Sequence, residues 1–444
     1  MAGGGYTPLH HAALSGDTRT VETLLLTDGA LVQDTDQDRN TPLHLAVWKG
    51  HTDVAELLLD NGAPIHAVNQ FGNTPLHLAA WTGYMGVVDL LVRNCPIIEA
   101  KNLNDNTPLQ LAASKGHTGV VGLLLRKGAL IEATGSNGNT PLHFATRSGH
   151  AGTVKLLLMK GASTHARNRS FNHTPLHLAA KNGHTGIAEL LLSRGALIES
   201  QETYDYCTPL HEAAQRGHID VVELLLSRGA SIESQDTLNR TPLHEAARVG
   251  HIDVVELLLS KGALIESQDT SHFTPLHVAA GWGHIDVVEL LLSKGALVES
   301  QNTSHSTPLH EAAKWGYIDV VELLLSRGAL IESKDTYNWT PLHFAAGWGQ
   351  IDVVELLLSK GALVEAQGKD NWTPLHEAAK RGRIDVVELL LSKGALIESQ
   401  DTSHFTPLHV AREAGHTSIV ELLLAKGDSV DRYSQSLLNG LVME

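Results

Sequence analysis

A chain of 444 residues with 42% hydrophobic side chains has ample material for a core, and its formal net charge of -16 argues against nonspecific binding to nucleic acid or anionic lipid. No run of about 18 apolar residues occurs, so no membrane-spanning helix is expected. The start, Met1-Ala2-Gly3-Gly4-Gly5, lacks the basic and apolar regions of a signal peptide, and Leu437 to Glu444 match no lipidation motif.

Read from the N-terminus, the dipeptide Thr-Pro recurs at Thr7, Thr41, Thr74, Thr107, Thr140, Thr174, Thr208, Thr241, Thr274, Thr307, Thr340, Thr373 and Thr406, in nine steps of 33 residues and three of 34. A fixed period of that size means one supersecondary unit stacked on its own copies. In the unit from Thr241, the threonine suits a helix N-cap and Pro242 the first helical position. Leu243, Ala246 and Ala247 make a short apolar stripe, and Gly250 stops the helix after about two turns. His251 leads into a second helix in which Val254, Val255, Leu257, Leu258 and Leu259 predict burial between neighbours, with Asp253, Glu256 and Lys261 on the wet side. Gly262 ends it. Ala263 to Phe273 is too short and polar for a third helix and reads as a turn or hairpin.

The units are not equivalent. The first has no hairpin before it, and Asp17 to Val21 reads as one residue longer than its counterparts, which suggests a ragged cap. The hairpins after Gly161 and Gly195 also carry one extra residue each, which can either kink the stack locally or, as expected first, be absorbed in a loop tip. Units from Thr208 onward share nearly unchanged IDVVELLLS(K/R)GA runs, whereas the first five diverge. The last unit places Arg412, Glu413 and Thr417 where inner copies are less polar, as suits a cap with a wet outer face. The expected organisation is one stack over residues 1–430 and a tail over 431–444. Cys95 and Cys207, more than three periods apart, are expected beyond disulfide reach, since packed helices sit about 8–10 Å apart. Two reduced thiols point to the cytosol first and the nucleus second.

Twenty-seven histidines invite a metal reading. Twelve follow Thr-Pro-Leu, from His10 to His409, and eight follow the glycine that ends helix one, as His51, His218 and His284 do. One period places equivalent rings about 10 Å apart, whereas zinc needs its ligands about 2 Å from one ion. Structural roles are therefore expected, with no metal and no cofactor. No Gly-rich phosphate loop, nucleophile elbow or HExxH motif is present, and recurring carboxylates such as Asp253 and Glu256 read as solvated charge, so no catalytic residue is expected. The seven tryptophans fall at positions that vary between units. Trp282, Trp315 and Trp348 stand just before the glycine that ends helix one, and Trp48 and Trp81 one residue earlier in that helix. Trp339 and Trp372 stand immediately before the capping threonine, the place Phe273 and Phe405 share. Exposed aromatic strips mark binding surfaces, and Trp is enriched at hot spots. Glu212, Glu245, Glu311 and Glu377 stand between these rings; by themselves they read as a solvated stripe. With the rings beside them they suit a cationic, partly apolar peptide.

The motif Thr-Pro-Leu-His-x-Ala at this period resembles the signature of the ankyrin repeat family, over roughly residues 7 to 430. The resemblance implies an all-α repeat solenoid of stacked helix-turn-helix units with projecting β-hairpin loops, in which the signature His supports hydrogen bonding between units. It also implies a non-enzymatic scaffold or adaptor that holds a protein or extended peptide in a concave groove. On that reading Trp282, Trp315, Trp348, Trp339, Trp372, Phe273, Phe405, Glu245, Glu311 and Glu377 face the partner. The alternatives are a structural spacer with no groove ligand, or a regulatory subunit of a larger signalling or ubiquitin-ligase assembly; oligomeric state stays open. The chain also departs from the family. Glycine two residues before the threonine survives only at Gly5, Gly72 and Gly138; elsewhere stand residues such as Arg39, Asp105, Tyr206, Asn239, His272 and His404. Tyr and Arg tolerate the left-handed conformation poorly, so tips of differing shape are expected. Glu99, Glu132, Glu199, Glu233, Glu266, Glu299, Glu332, Glu365 and Glu398 replace the Asn that relatives hydroxylate, so that modification is not expected there. Asn94-Cys95-Pro96 replaces the usual x-Gly-Ala and predicts a looser helix end.

Overall fold

The computed structural model of the chain describes residues 5–26, 31–94 and 97–427. Cys95, Pro96 and the 431–444 tail lie outside these, so the expectations made for them have no structural counterpart. Among the described residues there are twenty-five bounded α-helices, in successive pairs from Pro8–Ser15 with Thr18–Leu26 onward, and a further helical run over 417–427. The chain falls into two compact units. One takes residues up to Ala213 together with His218–Ser231; the other takes Ala214–Gly217 and residues from Ile232 onward.

Each first helix is built by the same four residues, except that Gln110 replaces the histidine in one. Thr241 is extended (φ -93°, ψ 166°), so Pro242 enters as the first helical residue with its fixed φ already suitable. The Thr241 N–H donates to His244 Nδ1 at 3.2 Å, and the hydroxyl lies 2.9 Å from the same nitrogen. Because Nδ1 accepts, the ring proton sits on Nε2, which donates to the Phe273 carbonyl of the next repeat at 3.0 Å. His44, His77, His143, His177, His277, His310, His343 and His376 repeat this bond at 3.0 to 3.1 Å. The inter-repeat role expected of the signature His is thus present. Burial holds these rings neutral, with His277 and His310 pushed down to about 4.

The helix then ends at Gly250, whose φ of 85° is left-handed. Space forces glycine here as well as φ, because a Cβ would come within 2.6 Å of His284 Nδ1. That ring donates from Nε2 to the Arg248 carbonyl at 3.0 Å, and His51, His117, His150, His184, His218, His251 and His416 make the same reach. In the second helix, Ile252–Ser260, Val254, Val255 and Leu258 are buried, each worth about 2 kcal/mol by area. Leu257 and Leu259 are only half-buried, so this helix is less enclosed than its composition predicts.

Two expectations need correction. The distance along the chain from Pro8 to Thr18 equals that from Pro42 to Thr52, so the extra residue of the first unit lies after Leu26, not between its helices. The predicted hairpins contain no strand among the described residues; most are tight turns joined to a neighbour by a backbone bond such as Thr303 N–H to Ser271 O, 2.9 Å.

The tips also keep one shape where the residue types predicted several. Arg39 (φ 61°), Tyr206 (φ 54°), His272 (φ 61°) and His404 (φ 64°) all adopt the left-handed conformation. The cause is an Asp or Asn three residues earlier in most loops. Asp269 Oδ1 accepts from the Ser271 and Phe273 amides at 2.8 and 2.9 Å, and Asp36 does the same for Asp38 and Asn40 at 2.9 and 2.7 Å. Two such bonds at about 1 kcal/mol each offset the roughly 1–2 kcal/mol that a left-handed L-residue costs. Where glycine replaces the Asx, at Gly135 and Gly368, the turn changes. It becomes a 3-10 turn with two left-handed residues in a row, Asn137 and Gly138 in one case and Asp370 and Asn371 in the other. The extra residue after Gly161 is absorbed as expected, since Asn168 Oδ1 reaches one position further, to the His173 amide at 3.0 Å.

Candidate functional site

In the unit from Ile232 onward the variable positions form an aromatic strip edged by charge. Trp282 and Trp315 end their helices against left-handed glycines and are 55% and 50% exposed. Trp348, Trp339, Trp372 and Phe273 are half-buried, and Phe405 is exposed. The strip therefore divides. At the helix ends Trp282 and Trp315 are the more exposed rings and Trp348 stacks on Phe344 at 6.2 Å, whereas rings before the threonine lean on the signature imidazoles: Trp339 stacks on His343 at 6.2 Å and 7°, and Trp372 lies 5.1 Å from His376.

Cations of the chain already lie over several rings. Arg248 stands 5.8 Å from the Trp282 centroid, and Lys314 lies 5.2 Å from Trp315 and 5.3 Å from Trp348. Arg381 covers Trp348 at 4.0 Å, and Lys380 is 5.1 Å from Trp372.

The glutamates are not a solvated stripe. Glu212, Glu245, Glu311 and Glu377 are buried. Glu245 binds Arg248 at 2.8 Å and Arg240 at 3.1 Å, and accepts from Gln215 at 3.1 Å. Glu377 accepts the Trp372 indole N–H at 3.0 Å and pairs with Arg381. Burial raises the Glu311 carboxyl above its ordinary range, held back by Lys314 and the Trp315 indole. The periodicity placed these side chains correctly on helix one; what encloses them is the neighbouring repeat, which a single unit's pattern does not show. Gly347 makes room for one, since a Cβ there would meet Glu377 Cγ at 2.7 Å.

Between the tips the strip opens into two clefts. One, of about 480 Å³, is lined by Phe273, Glu311, Lys314, Tyr337, Trp339 and Phe344 among others; the second, of about 590 Å³, by Tyr337, Trp339, Lys369, Trp372, Lys380 and Arg381 among others. Sequence reading missed Tyr337, Phe344 and Lys369, though the aromatic neighbours of Trp339 were a usable signal. In the other unit, Trp48 and Trp81 each lie under a lysine: Lys49 at 4.7 Å and Lys115 at 4.2 Å. That unit instead buries His173, Glu202 and Glu212 together. Three residues from three consecutive repeats gave no sequence signal beyond the lengthened loops.

The loops of the second helices show one more recurrent contact. Glu266 Oε1 accepts the Leu297 amide of the next repeat at 2.9 Å, and Glu99, Glu132, Glu199, Glu233, Glu299, Glu332 and Glu365 do the same at 2.7 to 3.0 Å. The residue that departs from the family's Asn thus ties repeats together.

A family profile described as Ankyrin repeats (3 copies) matches residues 2–69, 58–135, 94–168, 162–236, 229–302, 264–335, 297–368 and 362–434. The chain belongs to the ankyrin repeat family, whose repeats generally act as non-enzymatic protein-interaction modules. No curated protein matches the chain. Among the described residues no helix is long and apolar enough to cross a membrane.

Proposed function

We propose that this chain is a non-enzymatic scaffold or adaptor, set in a reducing compartment, whose aromatic strip in the unit from Ile232 onward holds an extended segment of a partner protein. The observation that carries the reading is the pair of half-exposed indoles, Trp282 and Trp315, on the same strip as two clefts of about 480 and 590 Å³. Large rings beside partly desolvated pockets are where binding energy concentrates. The cationic ligand expected from the sequence rested on solvated carboxylates, and their burial removes that ground. The charges around the second cleft are mixed, with Lys369, Lys380 and Arg381 beside Asp370, Glu377 and Asp401. A largely apolar extended segment with flanks of both signs fits them better.

The spacer reading draws on Trp348 and Trp372, whose rings are already occupied by Arg381 and Lys380. Affinity capture from cell lysate with the native chain and with Trp282→Ala plus Trp315→Ala separates the two. The scaffold reading expects partners that the double variant binds about 30-fold more weakly or less, at unchanged thermal stability, as loss of a Trp hot spot of about 2 kcal/mol implies. Equal binding by both, or a stability loss that matches the binding loss, overturns it.

A further inference from the structure

In the unit that ends at Ser231, neighbouring loops are joined by amide rungs. Asn69 donates to Asn40 at 3.0 Å, Asn102 to Asn73 at 2.8 Å and Asn168 to Asn139 at 3.1 Å. One rung is replaced at both ends. His173 stands at the position of Asn40, Asn73 and Asn139. Glu202 stands at the position of Asn69, Asn102 and Asn168, in the loop that carries the extra residue after Gly195. A third group arrives from the following helix, where Glu212 occupies the place after a signature His.

The three side chains converge away from solvent. His173 Nε2 lies 3.0 Å from Glu202 Oε2 and 3.3 Å from Glu212 Oε1, with side-chain exposures of 5%, 7% and 8%. Neither approach has the alignment of a hydrogen bond: Nε2 is without one, and so is the second oxygen of Glu212. Only Lys181, 3.3 Å from Glu212 and 32% exposed, brings further positive charge among the described ion pairs. Two buried carboxylates with one lysine, which reaches Glu212 alone, are an unfavourable arrangement unless a cation sits with them.

We propose that His173, Glu202 and Glu212 form a divalent-metal site, with zinc the ion their donors suit best. One imidazole nitrogen and two carboxylates are a zinc ligand set that leaves a position open. Ligands at 2.0–2.1 Å in a tetrahedron stand about 3.3 Å from one another, which is the spacing already present from Nε2 to both carboxylates. The whole donor set lies within 4.8 Å. The backbone around it is fixed, because the His173 amide donates to Asn168 and its carbonyl accepts from His143 at 3.0 Å. Glu202 also lines a cleft of about 770 Å³ with Arg167, Asn172 and Tyr206, which supplies an entry path and room for a water as fourth ligand. The ion would pin three consecutive repeats at the two lengthened loops. This inference is independent of the aromatic strip.

The test uses the full chain, stripped with a chelator and titrated with Zn²⁺ by calorimetry and with Co²⁺ by visible absorption. His173→Asn restores the residue used elsewhere at this position, and Glu202→Gln removes a ligand charge at nearly constant shape. We expect one tight Zn²⁺ per chain, weakened about 100-fold or more in either variant. We also expect a four-coordinate Co²⁺ spectrum that His173→Asn abolishes, and a thermal midpoint that rises with Zn²⁺ only in the native chain. Identical isotherms and spectra in native chain and variants would assign the zinc to the other histidines and overturn the site. So would a chain that binds no Zn²⁺ while NMR shows His173 as an imidazolium between the two glutamates, with a proton as the cation.

Discussion

The loops that precede the first helices use one backbone in both units and different side chains. In the unit ending at Ser231 the residue before the capping threonine is mostly asparagine, and amides pair from loop to loop. From Ile232 onward that position carries Phe273, Trp339, Trp372 and Phe405, with Arg240 and Ser306 in the other two repeats, and each ring stacks or tilts against the imidazole four residues on. In both units the threonine, the histidine and the loop Asx make the same backbone bonds. The pre-threonine residue lends its carbonyl to that network, which leaves its side chain free to vary. A repeat can therefore change what its surface offers without changing how it folds.

That division fails first at acid pH if it is wrong. His44, His77 and His143 in one unit, and His277, His310 and His343 in the other, are pushed down to about 4 from 6.5. The folded chain prefers these rings neutral, so their contribution is complete above pH 6.5 and declines as pH falls from 6.5 toward 4. Each ring protonated against such a shift costs about 3 kcal/mol. Both units should lose thermal stability together over that window, whatever their loops carry. Gln110 shows how to uncouple it: its Oε1 accepts the Thr107 amide at 2.7 Å and its Nε2 donates to the Asn139 carbonyl at 3.1 Å, with nothing to titrate. His310→Gln should keep both bonds and make the stability–pH curve shallower by about one proton. An unchanged slope would place the acid sensitivity elsewhere.

The next contrast is between buried groups. Glu377→Ala strips the Trp372 indole and Arg381 of their acceptor, and should cost about 2 kcal/mol in chemical denaturation. Asn73→Ala removes a single amide rung to Asn102 and should cost about 1 kcal/mol. The reverse order would mean that the polar rungs, not the aromatic network, are the stronger tie.

Much of this was legible in the sequence. Thr-Pro-Leu-His and the two glycines per period give the helices, their caps and the inter-repeat histidine bond, because each acts within one period. What escaped acts between periods. Glu245, Glu311 and Glu377 lie beside small apolar residues, and a single helix leaves them outside; the preceding repeat packs over them through Gln215, Gly281 and Gly347. Arg39 looked ill suited to a left-handed tip on intrinsic preference, yet Asp36, three residues earlier, overrides it by accepting the Asp38 and Asn40 amides. The tryptophans could be grouped by their place in the repeat, but several of the cations above them come from other repeats, as Lys314 over Trp348 and Arg381 over the same ring do.

The smallest effect is the sharpest test of interchangeable loops. Asn73→Trp puts the side chain of one unit on the backbone of the other. The carbonyl at that position still accepts from His44, now at 3.0 Å, because the bond belongs to the main chain. The lost amide bond to Asn102 is worth about 1 kcal/mol. An indole laid over His77, as Trp339 lies over His343, returns a similar amount through burial and ring contact. Asn102 is half-buried and its freed amide can turn to water. The net change in unfolding free energy should therefore stay within about 0.5 kcal/mol. A loss of about 2 kcal/mol or more would show that the amide rungs shape the loop backbone, and the two units would then differ in architecture as well as in surface.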